Sequence, residues 1–329
     1  MNTKHTKTAI IALLLLANLF FACSIADLYI KSETIPSEMI NDAVLILEAR
    51  GLKTDKSMIP SKKPAGMIYG GVYEGIYSKD TFKDIVKSFS GISDEDLKKA
   101  SDILPVGESY AAGGYRFIFS EANYFKISII ELAYAELLGE FSIVNPDTGK
   151  TELDEETKNK AELLSKKGIG DARNGELKAA ETTVRDFLKQ YPHQDPKLDF
   201  EIVGLKREER FGRESVLITQ TFEGVPIDPH TAYIEMQGGQ VKYFSGEWYF
   251  GEFAGRYPAA LLDSVNILFK CVGTDGNIIK ESGELKEMNL EYTVIHHETG
   301  KFYLTPSWQL VFENGRKLSY NMISGDKKN

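Results

Sequence analysis

WQLVFENGRKLSYNM, residues 308–322, carries the clearest fold signal in the chain. Trp308, Leu310 and Phe312 alternate with their neighbours, and period-two alternation puts side chains on one face of a strand. Asn314-Gly315 follows, a pair that tolerates the positive φ a tight hairpin demands. Leu318, Tyr320 and Met322 then alternate on the far side. The stretch reads as an antiparallel hairpin with one apolar face, and such a face must be covered by other elements.

Working back from it, strands are expected at about 288–296 and 302–312, after a helix near Pro258 to Phe269. Tyr233 to Met236 and Val241 to Phe244 flank Gly238-Gly239, a second hairpin signal. Glu201 to Arg207 and Val216 to Phe222 read as strands. Leu177, Ala180, Val184, Phe187, Leu188 and Tyr191 lie on one face of an amphipathic helix that ends before Pro192. These elements make one module, 177–329. Residues 145–176 form an acidic, Lys-rich connection opened by Asn145-Pro146-Asp147 and carrying a surface helix from Asp154 to Lys167, with Gly168 as its stop.

An earlier module, 27–144, opens with a helix over 34–50. Pro36 and Glu38 suit its first turn, Arg50 its last and Gly51 its end, while Ile40, Ala43, Val44 and Leu47 share a face. A strand candidate at 67–76, a helix around Asp80 to Ser90, and strands at Tyr115 to Phe119 and Tyr124 to Ile130 follow. The expected fold class is α+β: an N-terminal transmembrane helix, then two helix-plus-antiparallel-sheet modules in series.

The transmembrane expectation rests on Thr8 to Ala26, TAIIALLLLANLFFACSIA, which has no charged residue and as a helix reaches about 28 Å. Lys4 and Lys7 before it and Asp27 after it predict a cytoplasmic 1–7, a span over 8–26 and an extracytoplasmic remainder. The protein is thus expected in the cell membrane as a single-pass chain. Cleavage after Ala26 by a signal peptidase and acylation of Cys23 are the rival readings of this segment. Asn18 is a strongly polar side chain deep in the run, and an amide there can hydrogen-bond a partner helix. Ile10, Leu14, Asn18 and Phe21 are the candidate anchor and partner-helix contacts.

The chain has 329 residues, 42% hydrophobic and 26% charged, with a net charge of −9. That acidity argues against nucleic acid, whose binding draws on Lys and Arg facing phosphates. Two cysteines give no disulfide framework. His5, His193, His230, His296 and His297 occupy no zinc-motif spacing, and His296 and His297, adjacent in a strand, would point to opposite faces. No GxSxG, SxxK or GxxxxGK[ST] pattern occurs. Gly168-Ile169-Gly170 followed by Gly175 misses the GxGxxG spacing and reads as a helix-to-helix turn. The acidic clusters Asp94-Glu95-Asp96 and Asp154-Glu155-Glu156 read as solvated helix starts. Trp248 and Tyr249 could stack on a sugar or peptide or pack in the core. Neither a cofactor nor a metal is expected.

Several stretches resemble the YycI-type regulatory proteins, membrane-anchored accessory proteins of a bacterial cell-wall two-component system related in outer fold to the YycH type. They are the Lys-flanked apolar run with Ala17-Asn18-Leu19-Phe20, Phe222-Glu223-Gly224-Val225-Pro226-Ile227, Gly246-Glu247-Trp248, and Leu304-Thr305-Pro306-Ser307-Trp308. The resemblance implies a non-enzymatic regulator contacting a sensor histidine kinase through its transmembrane helix and outer domain, with a YycH-like protein as co-partner. It brings no catalytic residues. The charged stretch 145–176 departs from the family pattern. The alternatives are a cell-envelope hydrolase or carbohydrate- or peptide-binding protein, and an inhibitor of an external protease acting by strand addition.

Overall fold

A computed structural model describes residues 34–62, 67–72, 79–93, 95–96, 109–119, 126–137, 152–170, 174–191, 194–208, 212–253, 255–296 and 301–328. Among these are helices α1 (Ser37–Ala49), α2 (Lys79–Ser90), α3 (Leu132–Leu137), α4 (Glu152–Lys167), α5 (Asn174–Leu188), α6 (Ser264–Thr274) and α7 (Gly276–Ser282). The strands are β1 (Met67–Val72), β2 (Ser109–Ala112), β3 (Tyr115–Phe119), β4 (Lys126–Glu131), β5 (Leu198–Glu208), β6 (Arg213–Phe222) and β7 (Val225–Gln237). They continue with β8 (Gln240–Glu247), β9 (Gly255–Pro258), β10 (Leu285–His296), β11 (Lys301–Phe312) and β12 (Lys317–Asn321). All twelve strands join one hydrogen-bonded sheet.

The chain divides into two compact units, neither of them continuous in sequence. One takes its residues from Met1–Met67, Pro258–Leu290 and Pro306–Asn329, the other from Ile68–Tyr257 and Glu291–Thr305. In the first unit, Ile40, Ala43 and Leu47 of α1 are buried together with Val265 and Leu268 of α6 and Trp308, Leu310 and Tyr320 of the terminal hairpin. That hairpin has the expected register, with Trp308 opposite Tyr320 and Leu310 opposite Leu318. Asp263 caps α6 by accepting the Asn266 N–H at 2.9 Å, which satisfies a donor the helix start leaves orphaned.

The second unit is built on the antiparallel run β5-β6-β7-β8-β4-β3-β2. Ala180, Val184 and Phe187 of α5 and Ile85, Val86 and Phe89 of α2 are buried in one cluster with Phe117, Ile129, Ile218, Ile234 and Phe244 of its strands. A smaller cluster joins Leu164 of α4 and Tyr134 of α3 to Ile130, Leu217, Tyr233 and Tyr243. Helices therefore cover both faces. Phe222-Glu223-Gly224-Val225 is the β6–β7 turn, with φ of +52° at Glu223 and +78° at Gly224 and Phe222 opposite Val225, the positive-φ pair of a type I′ hairpin.

The expected fold class needs correction at three points. The helix-and-sheet modules do not follow one another in series: β4 of the earlier stretch pairs with β8, while α1 shares its core with α6 and the C-terminal hairpin. The sheet is mixed rather than antiparallel, since Tyr292 and Thr293 of β10 pair in parallel with Ile227 and Asp228 of β7. No helix among the described residues is long and apolar enough to cross a membrane, so the described structure contains no counterpart of the expected N-terminal transmembrane helix. The segment 8–26 on which it was placed lies outside the described residues.

Candidate functional site

Side chains two apart on a strand share a face, and cross-strand partners continue that face from strand to strand. Registers align Lys206 of β5 with Ser215 of β6, Ser215 with Glu235 of β7, and Glu235 with Tyr243 of β8. The neighbouring row brings Glu208 opposite Arg213. An apolar run would be ordinary here. This one places a carboxylate, Glu235, at 4% exposure.

Helix α4 closes over this face. Gly204 makes that approach possible, because a Cβ there would stand 2.9 Å from the Leu164 carbonyl oxygen, and the β5–β6 register shifts between Ile202 and Gly204. Lys160, Leu164 and Lys167, at helical spacing, face the strands with Leu163 beside them and complete a cavity of about 430 Å³.

Glu235 is the most constrained group in it. Tyr134 donates to its Oε2 at 2.6 Å, Tyr233 donates to its Oε1 at 2.7 Å, and Lys160 Nζ lies 3.3 Å from Oε1. Burial works to raise the carboxyl's pKa, but the two phenols and the lysine outweigh it and hold Glu235 below the usual glutamate value. Burial, reinforced by the neighbouring carboxylate, drives the Tyr233 phenol far upward, so it stays protonated and keeps donating. The Tyr233 hydroxyl also lies 3.1 Å from Ser215 Oγ. At the mouth, Lys206 Nζ meets Glu208 at 2.6 Å.

The same lysine–carboxylate–tyrosine grouping recurs twice. In the second unit, Glu223 accepts from Tyr69 at 2.8 Å and Lys197 at 2.6 Å. In the first, Asp275 accepts from Tyr320 and Lys327, both at 2.8 Å. Both carboxyls are held below their ordinary values: Glu223 chiefly by the Lys197 hydrogen bond, and Asp275 because Lys327, Tyr320 and Thr274 outweigh its desolvation. Such groups are poor acid–base catalysts near neutrality, where an effective pKa lies close to the working pH.

The sequence-derived candidates fare unevenly. Ile10, Leu14, Asn18 and Phe21 lie outside the described residues. Trp248 and Tyr249 are 1% and 2% exposed and belong to the interior. Tyr249 is fixed by the buried Gln220, which accepts its N–H at 3.1 Å and donates to its carbonyl at 2.7 Å. Gly246 is required because a Cβ would overlap the Thr231 oxygen and Ala232 Cα. Gly168, with φ of +62°, ends α4 by donating to Leu164 O at 2.8 Å. Asp96 is exposed and takes part in a helix-start pairing with Ser93.

No protein-family model and no curated protein matches the chain. Among solved structures it is similar to an uncharacterized protein from Eubacterium rectale, at 12% identity and a TM-score of 0.40, over 84% of this chain and 89% of that one.

The Glu235 network escaped sequence reading because its members come from α3, α4 and β7, about a hundred positions apart. The visible signal was a single glutamate in the otherwise apolar stretch Tyr233-Ile-Glu-Met236.

A second surface concerns α1. Its buried stripe is Ile40, Ala43 and Leu47, yet Met39, Leu45 and Ile46 stand in solvent, Leu45 at 66% exposure. Three of the eight large hydrophobics exposed among the described residues thus sit on this one helix of 13 residues.

Proposed function

We propose that this protein is a non-enzymatic accessory regulator of the YycI kind, which binds a sensor histidine kinase of a bacterial cell-wall two-component system on the extracytoplasmic side of the membrane. A YycH-like protein is its co-partner. The observation that carries the proposal is the outer face of α1. Met39 and Ile46, seven residues apart, lie on one side of the helix, and Leu45, about 100° round from Ile46, extends the apolar exposure across the solvent side. Isolated exposed apolar side chains need no explanation, but a concentration of them favours a protein contact.

The charge arrangement supports binding over catalysis. The perturbed carboxyls with lysine partners, Glu208, Glu223, Glu235, Asp275 and Asp326, are all displaced downward. Burial pushes the Cys271 thiol up to about 12, which removes its nucleophilic form near neutrality. The envelope hydrolase or carbohydrate-binding reading draws on aromatic-rich strands and abundant carboxylates, and of those aromatics Trp248 and Tyr249, the pair that could stack on a sugar or peptide, are buried.

Crosslinking followed by affinity purification from membranes of the source cell tests the proposal. Recovery of a sensor kinase with the wild type, and its loss with Leu45→Glu/Ile46→Lys, is the expected outcome. Wild-type preparations without any kinase would defeat it.

A further inference from the structure

Six charged side chains line the cavity under α4: Lys160, Lys167, Lys206 and Arg213 against Glu208 and Glu235. The excess is positive in a chain whose net charge is −9. Glu235 is satisfied by Lys160 and two phenols, and Glu208 by Lys206. Lys167 has no ion-pair partner among the described residues, and Arg213 Nε is buried without a hydrogen-bond acceptor. The guanidinium is held in place, its carbon 5.4 Å from the centre of the Tyr134 ring. A buried N–H without an acceptor is destabilising, a cost that an anion at this position would remove.

We propose that this cavity binds a small organic anion, a carboxylate or a phosphate ester, with its charged group on the Arg213 guanidinium and the Lys167 ammonium and its apolar part against Leu163 and Leu164. The volume of about 430 Å³ falls within the roughly 300–1,000 Å³ common for small-molecule sites. Leu163 and Lys167 are exposed and stand at the entrance, which leaves a path for the ligand. Arginine suits the inner position, since its planar fork matches the two oxygens of either anion. Glu235 has a complementary role: with its charge already balanced, it fixes the floor without repelling the incoming anion. The site is independent of the kinase contact on α1, so either assignment can fail alone.

The test follows the arginine Nε–H resonances of the ¹⁵N-labelled full chain during titration with inorganic phosphate and, separately, with succinate, using glycerol as the uncharged control. Arg213→Lys identifies the signal by its disappearance. The expected result is a saturable shift of the Arg213 signal with at least one anion and none with glycerol. A response to phosphate alone assigns a phosphate ester, and one to succinate alone a carboxylate. Lys167→Gln, a change at an exposed position that the fold does not depend on, should weaken binding about tenfold, the worth of one charge-assisted contact. An Arg213 signal unmoved by both anions, or binding unchanged in Lys167→Gln, would overturn the assignment.

Discussion

Replacing Tyr134 by phenylalanine isolates the contribution of one hydroxyl to the Glu235 network. The ring stays, with its packing against the cluster that holds Leu164 and Tyr243 and its face toward Arg213. The 2.6 Å donation to Glu235 is lost. Hydrogen bonds to charged groups contribute about 1.5–3 kcal/mol, and the acceptor here is 4% exposed, so water replaces the donor poorly. Because Tyr233 and Lys160 remain, the carboxylate stays ionised and the loss should fall within that range. Urea unfolding of the full chain, read in the transition of the unit containing β7, measures it. In a Glu235→Gln background the acceptor is neutral, and the same substitution should cost about 1 kcal/mol or less. A Tyr134→Phe effect under about 0.5 kcal/mol, the scale of an ordinary surface change, or an equal effect in both backgrounds would refute the network.

Other expectations follow from the same interactions. Glu235 has its folded-state pKa below the ordinary 4.5, so the stabilisation it supplies is complete above that value and is lost as pH falls through the folded pKa. Acid titration of stability should therefore be shallower below about pH 4.5 in Glu235→Gln than in the wild type. Gly246→Ala forces a methyl group into the β7 backbone and should cost more than about 3 kcal/mol or prevent accumulation of folded protein, as judged by circular dichroism. Cys271, with no exposed surface and its thiol pushed up to about 12, should resist a thiol reagent in native Cys23→Ser protein and react fully in denaturant. Leu47→Ala, which empties a fully buried position on α1, should lower stability by about 2–5 kcal/mol, whereas Leu45→Ser two residues earlier should change it by less than about 0.5 kcal/mol.

Local signals in the sequence were readable where chain neighbours decide the structure. The terminal hairpin follows from Asn314-Gly315 and the alternation around it, the β7–β8 turn from Gly238-Gly239 with φ of +60° and +73°, and α1 from Pro36 and Gly51 at its ends. Reading failed where distant pairing decides. Strand β7 begins at Val225 rather than Tyr233 and runs through Pro226 and Pro229, residues that ordinarily demote a central strand. Those prolines lie in the half whose residues Ile227 and Asp228 meet β10 in parallel, a contact of two residue pairs that leaves no periodic trace. The interleaved units follow from α1, near the start of the chain, sharing its core with α6 and the C-terminal hairpin at the other end. Of the candidate site, Glu235 was visible as a lone acid among apolar neighbours, but its partners Tyr134 and Lys160 were not, because no local spacing links a helix residue to a strand that far away.

The regulatory account is tested most directly by placing a photoreactive amino acid at Leu45 of the full chain in the cells that make it, with Lys178, exposed on α5, as the comparison position. Irradiation should yield an adduct with a sensor histidine kinase from position 45 and none from position 178. Adducts lacking a kinase at position 45, or equal kinase labelling at both positions, would contradict the account.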